Sequence, residues 1–523
     1  MTFRRVALRQ SKPESQIVRP MDWVAPIGGW QTNVPLVNMP PTAAAQLVNF
    51  FPEAGFVRAR NGSQPWLTGI SASVETLMPY SGATQNMYAV AGTSIYDATS
   101  AGVVGAPVYM VGNSHLSFAN FTNSGGHWLV CVNGVDTPFL YNGSTWATTS
   151  ITGPADSTKL FVIASYRSRL WFLEEGTTNL WFLPTLAITG AAQSVNLGAV
   201  MKFGGLPVAI NTWTMQVQTG VQQVLCILSS EGELVIYTGS DPTDATNWSL
   251  MGTFKLGFPL GTDRCMYQIG GDLAIMTVDG IVPASQAIAL DPAASDQASM
   301  TKNIAPTWLS TVQSVGRTTN GWQFITYPAR RMAIINVPDP AQGVYQFVMN
   351  TETLAWTLFN GMPSSASWAV FNGNLFFGTT GSGVWQGDFG SSDGTAPIDC
   401  LSVGAWTRGG DGLAPKSTTM IGVDCIIDAN VSIYAGSSFD YAPRVPSALG
   451  ASGVAVAAAL WDSALWDSAM WSGITPVRLI ADAGGEGVVF APTVRALVKG
   501  NASSPSNCMI LGGSLQFQQG SGI

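Results

Sequence analysis

The chain has 523 residues and a mass of 55.1 kDa, which predicts two or three domains. Charged residues make up only 10% of it, against about 25% in ordinary soluble domains, while hydrophobic residues reach 46%. With 18 Trp, 23 Phe and 12 Tyr to bury and a net charge of only -8, the composition excludes a disordered chain. The absence of long helix-forming runs excludes a coiled coil or helical bundle. The 57 Gly and 30 Pro favour a turn-rich β protein.

Membrane insertion and a disulfide framework are both disfavoured. No run of about 18 apolar residues could span a bilayer, and the N-terminal sequence MTFRRVALRQSKPESQ lacks the apolar core of a signal peptide. Without a CxxC motif, the cysteines are predicted to be free, mostly buried thiols made in a reducing cytosol. They are Cys131, Cys226, Cys265, Cys400, Cys425 and Cys508. A surface so poor in charge indicates extensive contact with other subunits, which predicts an assembly component.

Residues 1–20 form a basic tail. Its cations are Arg4, Arg5, Arg9, Lys12 and Arg19. Such a tail is either a solvated terminus or an arm that binds an acidic neighbour, and the first four cations are the candidate partner-binding residues. Residues 21–70 follow as extended segments broken by turns. We predict that residues 1–70 comprise a basic arm and extended segments that pack on a platform domain.

Residues 71–400 contain a repeated hairpin pattern, in which two short apolar runs flank a Gly, Asp or Asn turn. Clear copies are NMYAVAGTSIYDA, RLWFLEEGTTNLWFLP, QVLCILSSEGELVIYTG and NLFFGTTGSGVWQGD. Equivalent apolar positions recur at Met87, Leu129, Leu170, Leu225, Leu273, Met332 and Leu375. Their steps of about 41 to 59 residues predict a β-propeller of about seven blades, six to eight. A pair of β-sandwiches is the rival fold, and it predicts no period near about 40 residues.

In residues 401–523 the sequence pattern changes, with strand-like segments such as IGVDCIIDANVSIYAG and CMILGGSLQFQQ. This part predicts a separate, antiparallel β-sandwich-like platform domain. Within it, LWDSALWDSAMW repeats every five residues and carries Trp461, Trp466 and Trp471. A period of five suits neither one helix face nor one strand face, so a folded loop is predicted. The three rings either pin this loop to the sandwich, form an intersubunit contact, or stack on sugars.

Motifs for catalysis are missing from the sequence. It has two histidines, His115 and His127, and neither HExxH nor a GxxxxGK[ST] phosphate loop. The G-x-S-x-G match at residues 390–394, GSSDG, is interpreted as a turn, because a nucleophile elbow needs a helix after the serine. Carboxylates in predicted turns are expected there for backbone reasons alone: Glu174, Glu175, Glu231, Glu233 and Asp279. We predict no enzymatic activity, no cofactor and no metal site.

Several segments resemble tail proteins of short-tailed bacteriophages, in particular the family of the tail nozzle, also called the tail hub. These segments are PIGGWQTNVPLVNMPPTAAAQLVNFFPEAGFVRARNG, SEGELVIYTGSDPTDATNWSLMGTFKLGFPLG, GGDLAIMTVDGIVPAS and ALWDSALWDSAMW. The resemblance implies a virion protein, assembled in the host cytoplasm, that forms a closed ring below the portal and the adaptor. Such a ring, usually a homohexamer, continues the DNA channel, retains the genome before infection and anchors fibres or spikes.

The resemblance also implies the partners of the chain: other copies of itself, the tail adaptor, fibre or spike proteins, and duplex DNA that passes without specific binding. The excess of 31 acidic over 23 basic residues suits such a conduit, because each cation in the lumen would hold a phosphate. Insertions at 185–212, with Lys202, and 289–314, with Asp291, Asp296 and Lys302, are candidate channel-closing loops or ordinary surface excursions.

Two other functions fit a propeller. One is a carbohydrate- or receptor-binding tail protein that uses Trp-lined pockets between blades. The other is a glycosidase, which needs two carboxylates about 5 to 9 Å apart across a sugar. We expect the structural conduit instead.

Overall fold

The computed structural model describes residues 18–217, 220–244, 246–288, 299–410, 412–447, 449–452, 476–500 and 505–520. Six strands open the chain: β1 (Val18–Val24), β2 (Gly29–Trp30), β3 (Ala43–Val48), β4 (Phe50–Pro52), β5 (Val57–Ala59) and β6 (Ser63–Thr68). Most of them belong to the platform, but β6 belongs to the propeller that follows. The prediction that the extended segments of residues 1–70 pack on the platform is therefore wrong for Ser63–Thr68, which forms a propeller strand.

Blades 1 to 4 of the propeller are four-stranded antiparallel sheets. Blade 1 contains β7 (Val74–Ser81), β8 (Gln85–Ala91), β9 (Ser94–Asp97) and β11 (Tyr109–Met110), with β10 (Gly102–Val103) beside β6. Blade 2 contains β12 (Ser117–Asn123), β13 (Gly126–Val132), β14 (Phe139–Tyr141) and β15 (Trp146–Thr148). After β16 (Ile151–Thr152), blade 3 contains β17 (Leu160–Tyr166), β18 (Arg169–Glu174), β19 (Asn179–Phe182) and, after β20 (Gly190–Ala191), β21 (Gln193–Asn196). Blade 4 contains β22 (Pro207–Val217), β23 (Gly220–Ser229), β24 (Glu233–Gly239) and β25 (Trp248–Lys255).

Blades 5 to 7 complete the ring. Blade 5 has three strands, β26 (Met266–Ile269), β27 (Asp272–Thr277) and β28 (Gly280–Pro283), followed by the helices α1 (Ala284–Ala287) and α2 (Ala305–Val315). Blade 6 contains β29 (Gln323–Tyr327), β30 (Met332–Val337), β31 (Tyr345–Asn350) and β32 (Trp356–Phe359). Blade 7 contains β33 (Ser365–Phe371), β34 (Asn374–Thr379) and β35 (Val384–Gly387), and β6 supplies its outer strand. The described residues thus form seven blades, as the hairpin spacing predicts, and the rival pair of sandwiches is wrong for this region.

The seven apolar positions that define the repeat all lie in the second strand of successive blades. Each of these side chains is buried against a neighbouring blade. Tight hairpins form where the turn residues tolerate a positive φ. Between β33 and β34, Asn372 and Gly373 have φ values of 48° and 75°. Asn-Gly turns of this kind match the twist of a two-residue hairpin. The strands can be continuously apolar because both faces of each blade are covered.

Helix α2 stands where a fourth strand of blade 5 would lie. It buries Trp308, Val312 and Val315 in the core shared by blades 4, 5 and 6, and Trp308 Nε1 donates to the carbonyl oxygen of Thr277 at 3.1 Å. The second insertion therefore contributes to the core in its described part. Asp291 and Asp296 lie outside the described residues. The first insertion supplies β21 of blade 3, and its Lys202 is exposed.

The platform is an antiparallel β-sandwich. Its later strands are β36 (Ser392–Asp393), β37 (Ala396–Gly404), β38 (Lys416–Ile427), β39 (Val431–Phe439), β40 (Leu449–Ser452), β41 (Val477–Gly487), β42 (Phe490–Val498) and β43 (Cys508–Gln519). One sheet places β43 between β38 and the pair β1 and β5, with β41 at the far edge; the other runs β3-β37-β42-β39-β40. Side chains of both sheets, such as Val423 and Val494, share one core. N-terminal strands thus complete a C-terminal domain.

All six cysteines are free and buried, as predicted. Burial raises the pKa of Cys265, Cys400 and Cys425 to about 12, and it raises the pKa of the other three thiols as well. Among the described residues, no helix combines the length and apolar character needed to cross a lipid bilayer.

Candidate functional site

The predicted partner-binding residues lie outside the described part of the chain. They are Arg4, Arg5, Arg9, Lys12, Trp461, Trp466 and Trp471. The described strands next to them show where both segments attach. The basic arm precedes β1, and the Trp segment lies between β40 and β41, so both leave from the platform.

Within GSSDG, residues 390–394, Ser392 and Asp393 form strand β36, a tight turn follows them, and strand β37 comes next without a helix. Ser391 and Ser392 are each only 2% exposed, so this segment is no nucleophile elbow. Its aspartate has another role. Asp393 forms a buried ion pair with Arg60, with 2.5 Å between Arg60 Nη2 and Asp393 Oδ2.

This ion pair is the centre of a polar cluster between propeller and platform, here called the junction network: Asn49, Arg60, Ser63, Asn360 and Asp393. Arg60 Nη1 also donates to Asp393 Oδ1 at 3.1 Å, and Ser63 Oγ donates to the same oxygen at 2.8 Å. Arg60 Nε donates to Asn49 Oδ1 at 2.9 Å, and Nη2 donates to the carbonyl oxygen of Asn360 at 2.8 Å. Arg60 and Asp393 are 3% and 6% exposed. The bidentate geometry offsets the cost of burying both charges.

Backbone pairing crosses the same boundary at two places. Val48 of β3 pairs with Leu358 of β32 in blade 6, and Asp393 of β36 pairs with Ser63 of β6 in blade 7. The platform is therefore hydrogen-bonded to the outer edges of two neighbouring blades.

The inner strands of the seven blades, β7, β12, β17, β22, β26, β29 and β33, surround a channel with a cavity of about 500 Å³. Arg264, just before β26, reaches across one end of it. Its guanidinium donates to the carbonyl oxygen of Glu75 at 2.8 Å and to the hydroxyl of Thr76 at 2.7 Å, both in blade 1. The neighbouring Asp263 contacts His115 Nε2 at 2.6 Å. Blade 5 is thereby tied to blades 1 and 2 over the mouth of the channel.

The electrostatics of this tie are set by burial and by the side chains of His115 and Arg264. Burial, the largest influence, would raise the pKa of Asp263, but His115 and Arg264 together lower it to about 2. The side chain of Asp263 is 7% exposed, so its carboxylate depends on these partners. The other histidine, His127, contacts the hydroxyl of Thr122 across the hairpin of blade 2 at 2.9 Å.

The turn carboxylates hold local structure. Glu174 accepts a hydrogen bond from Trp181 Nε1 at 2.8 Å, and Glu175 lies 3.5 Å from Lys159 Nζ. Glu233 is fully buried and accepts the backbone N–H groups of Lys202 and Phe203. Throughout the described ranges, no group of three or more His, Cys, Asp or Glu side chains is arranged to hold a metal ion.

On blades 4 and 5, beside the mouth of the channel, four side chains form an exposed stack, here called the cation–aromatic patch: Phe203, Lys255, Phe258 and Arg317. Lys255 Nζ lies 5.0 Å from the ring centre of Phe203 and 5.4 Å from that of Phe258. Arg317 Cζ lies 4.7 Å from the Phe258 centre. The rings are 57% and 42% exposed. Nothing in the sequence pointed to this patch, because its members come from three separate segments of the chain, the end of β25 among them.

No protein-family model matches the chain, and no curated protein matches it. Three solved structures illustrate its similarities. BBS1N in complex with ARL6DN has 10% identity and a TM-score of 0.40, covering 63% of this chain and 97% of that one. YCF48 bound to D1 peptide has 13% identity and a TM-score of 0.35, with coverages of 63% and 97%. Dihydro-heme d1 dehydrogenase NirN has 11% identity and a TM-score of 0.30, with coverages of 66% and 68%. The similarity concerns the β-propeller fold alone.

Proposed function

We propose that this protein is a structural subunit of a short phage tail, the nozzle or hub, and that identical copies form a closed ring below the portal and adaptor. The ring serves as conduit and gate for the genome and anchors fibres or spikes. It performs no catalysis. The proposal starts from the resemblance of the sequence segments to tail nozzle proteins and draws on one structural observation.

That observation is the outward face of the platform sheet, here called the platform outer face: Val18, Val24, Met420 and Ile480. These side chains are 43%, 50%, 44% and 55% exposed, and they point away from the sandwich core. A solvated sheet face normally carries polar residues at such positions. On the same face Asp22, Asp424 and Arg478 alternate with them, so the surface is mixed apolar and charged. Four large apolar side chains exposed on such a face favour a partner chain that covers them, and interfaces between subunits are commonly of this mixed kind.

A rigid unit suits the same role. The junction network and the two strand pairings hold platform and propeller together, so that a ring built from these subunits keeps a defined bore. The carbohydrate-binding alternative has less support. Every tryptophan in the described ranges is buried or half-buried, which leaves no fully open indole there for a sugar to stack on.

Electron microscopy tests the proposal. The purified protein, alone or with the adaptor, is expected to form closed rings with a central hole wide enough for duplex DNA, and an antibody against it is expected to label the tail of virions. A protein that stays monomeric with the adaptor, or that is absent from virions, contradicts the proposal. A ring lumen lined by Lys and Arg contradicts the conduit.

A further inference from the structure

We propose that the cation–aromatic patch binds the LWDSALWDSAMW repeat, residues 460–471, of a second copy of this chain. The inference rests on the proposed ring, in which each subunit gives one contact and receives another. Such a heterologous contact closes a ring when the rotation between subunits closes.

The patch is held in place by one buried carboxylate and by two backbone carbonyl groups. The carboxylate of Glu233, fully buried under the loop, accepts the backbone N–H of Phe203 at 3.1 Å and so fixes the loop with the ring outward. Lys255 Nζ donates to the carbonyl oxygen of Glu231, and Arg317 Nη1 donates to that of Ser230 at 3.4 Å. Two cations and two rings are therefore presented together before any partner arrives, which reduces the entropy that binding would cost.

The geometry selects the kind of ligand. Lys255 stands over both rings and Arg317 over one of them, so these ring faces are already occupied by cations. Nucleic-acid bases and sugars bind aromatic side chains through such faces. The unused N–H groups of the cations instead suit a carboxylate, and the ring edges suit an apolar neighbour of that carboxylate. An acidic residue next to a large apolar one fits both requirements.

A recess beside the patch offers room for the apolar part. It has a volume of about 420 Å³, shares Arg317 with the patch, and is lined also by Val135, Phe161 and Pro259. This volume lies in the range of pockets that enclose small ligands. A tryptophan side chain whose next residue is an aspartate could fill the recess and reach the cations.

The chain itself contains this chemistry. Trp-Asp occurs at Trp461-Asp462 and Trp466-Asp467 and nowhere else in the sequence. The repeat lies outside the described residues, and it is flanked by β40 and β41 of the platform. Charge complementarity thus pairs the carboxylates of the repeat with Lys255 and Arg317 of another copy.

Fluorescence anisotropy tests the contact directly. The probe is a labelled peptide of residues 459–472, and the acceptor is the full chain with Asp462→Asn and Asp467→Asn, so that its own repeat does not compete. We expect saturable binding that weakens at least tenfold when the acceptor also carries Lys255→Gln and Arg317→Gln. Arg331→Gln removes an exposed cation elsewhere and is expected to leave the affinity unchanged.

A peptide with both aspartates changed to Asn is expected to bind the unaltered patch more weakly by a similar factor. Combining the changed peptide with the patch variant is expected to lower the affinity little further. Equal binding to the patch variant, or no binding, overturns the proposal. Displacement of the peptide by a single-stranded oligonucleotide of similar length overturns the choice of ligand.

Ring assembly, measured by mass photometry, separates this proposal from the proposed function. If the wild type forms rings and Lys255→Gln/Arg317→Gln forms them equally well, the docking site is refuted and the proposed ring is not. A wild type that never forms rings with the adaptor refutes the proposed function, while the peptide measurement still reports on the patch. Rings lost in Lys255→Glu/Arg317→Glu and restored by Asp462→Lys/Asp467→Lys support both.

Discussion

Arg60 is expected to dominate the stability of the contact between propeller and platform. Replacing it by Ala leaves the carboxylate of Asp393 buried without its cation, a change that costs about 3 to 5 kcal/mol in proteins. The variant also removes the donors to Asn49 and Asn360, but Asn49 Oδ1 keeps the backbone N–H of Asn360, and Asn360 is exposed, so the buried carboxylate sets the cost. We therefore expect a loss of about 4 kcal/mol in the free energy of unfolding.

Urea denaturation followed by tryptophan fluorescence measures this loss, and amide exchange locates it. Exchange is expected to rise in β3 and β37, the platform strands next to the junction network. Arg60→Lys keeps the charge but loses the bidentate fork, so its loss is expected to be roughly half as large.

The matched control is Arg331→Ala. Arg331 and its partner Glu352 are 63% and 54% exposed, and such pairs contribute about 1 kcal/mol or less. If Arg60→Ala shifts the urea midpoint no more than Arg331→Ala does, the junction network does not stabilise the contact and the reasoning fails.

Three further predictions follow from the propeller. Gly383→Ala places a Cβ 2.0 Å from the carbonyl oxygen of Leu67, where β35 pairs with β6, whereas Gly373→Ala, at a similar positive φ, meets nothing within 4 Å. We expect a clearly lower melting temperature and faster amide exchange in β6 for Gly383→Ala alone. Equal effects of the two substitutions contradict the closure of blade 7 by β6. Because the pKa of Asp263 is lowered to about 2 from an ordinary 3.8, its stabilisation is complete above about pH 4 and is lost as the pH falls through 2. Over this interval the free energy of unfolding of Asp263→Asn, measured by urea titration, is therefore expected to fall by about 2 kcal/mol less than that of the wild type, and parallel profiles refute the lowered pKa of Asp263. Burial with raised pKa values predicts that no cysteine reacts with a thiol reagent at pH 8 in the native protein and that all six react in denaturant, so rapid native labelling contradicts it.

The propeller could be predicted from the sequence because the strands that pair within each blade are neighbours along the chain. Each blade is a set of hairpins between neighbouring segments, so the apolar periodicity and turns such as Asn372-Gly373 reveal it directly. The strand that closes the last blade could not be found this way. Ser63–Thr68 pairs with β35, more than 300 residues later, and its pattern QPWLT resembles any edge strand.

The junction network illustrates the same limit at the level of side chains. The interpretation of GSSDG as a turn misses the short strand β36, which Ser392 and Asp393 form before the turn. Nothing near Asp393 in the sequence points to Arg60, which lies 333 residues away. Helix α2 did have a local signal. Trp308, Val312 and Val315 recur at helical spacing after a proline near the helix start, but the repeat of β-hairpins around them obscured it.

The junction network also limits how a ring of these subunits could open. Separating platform from propeller would break the buried ion pair between Arg60 and Asp393 and the pairing of β3 with β32 and of β6 with β36. Rigid-body movement of whole subunits about their mutual interfaces needs none of these losses. We therefore expect the bore of the proposed ring to change by rotation of subunits or by movement of loops, with the angle between platform and propeller preserved. A cross-link between the two domains, placed across the β3–β32 contact, is then expected to leave genome release unimpaired.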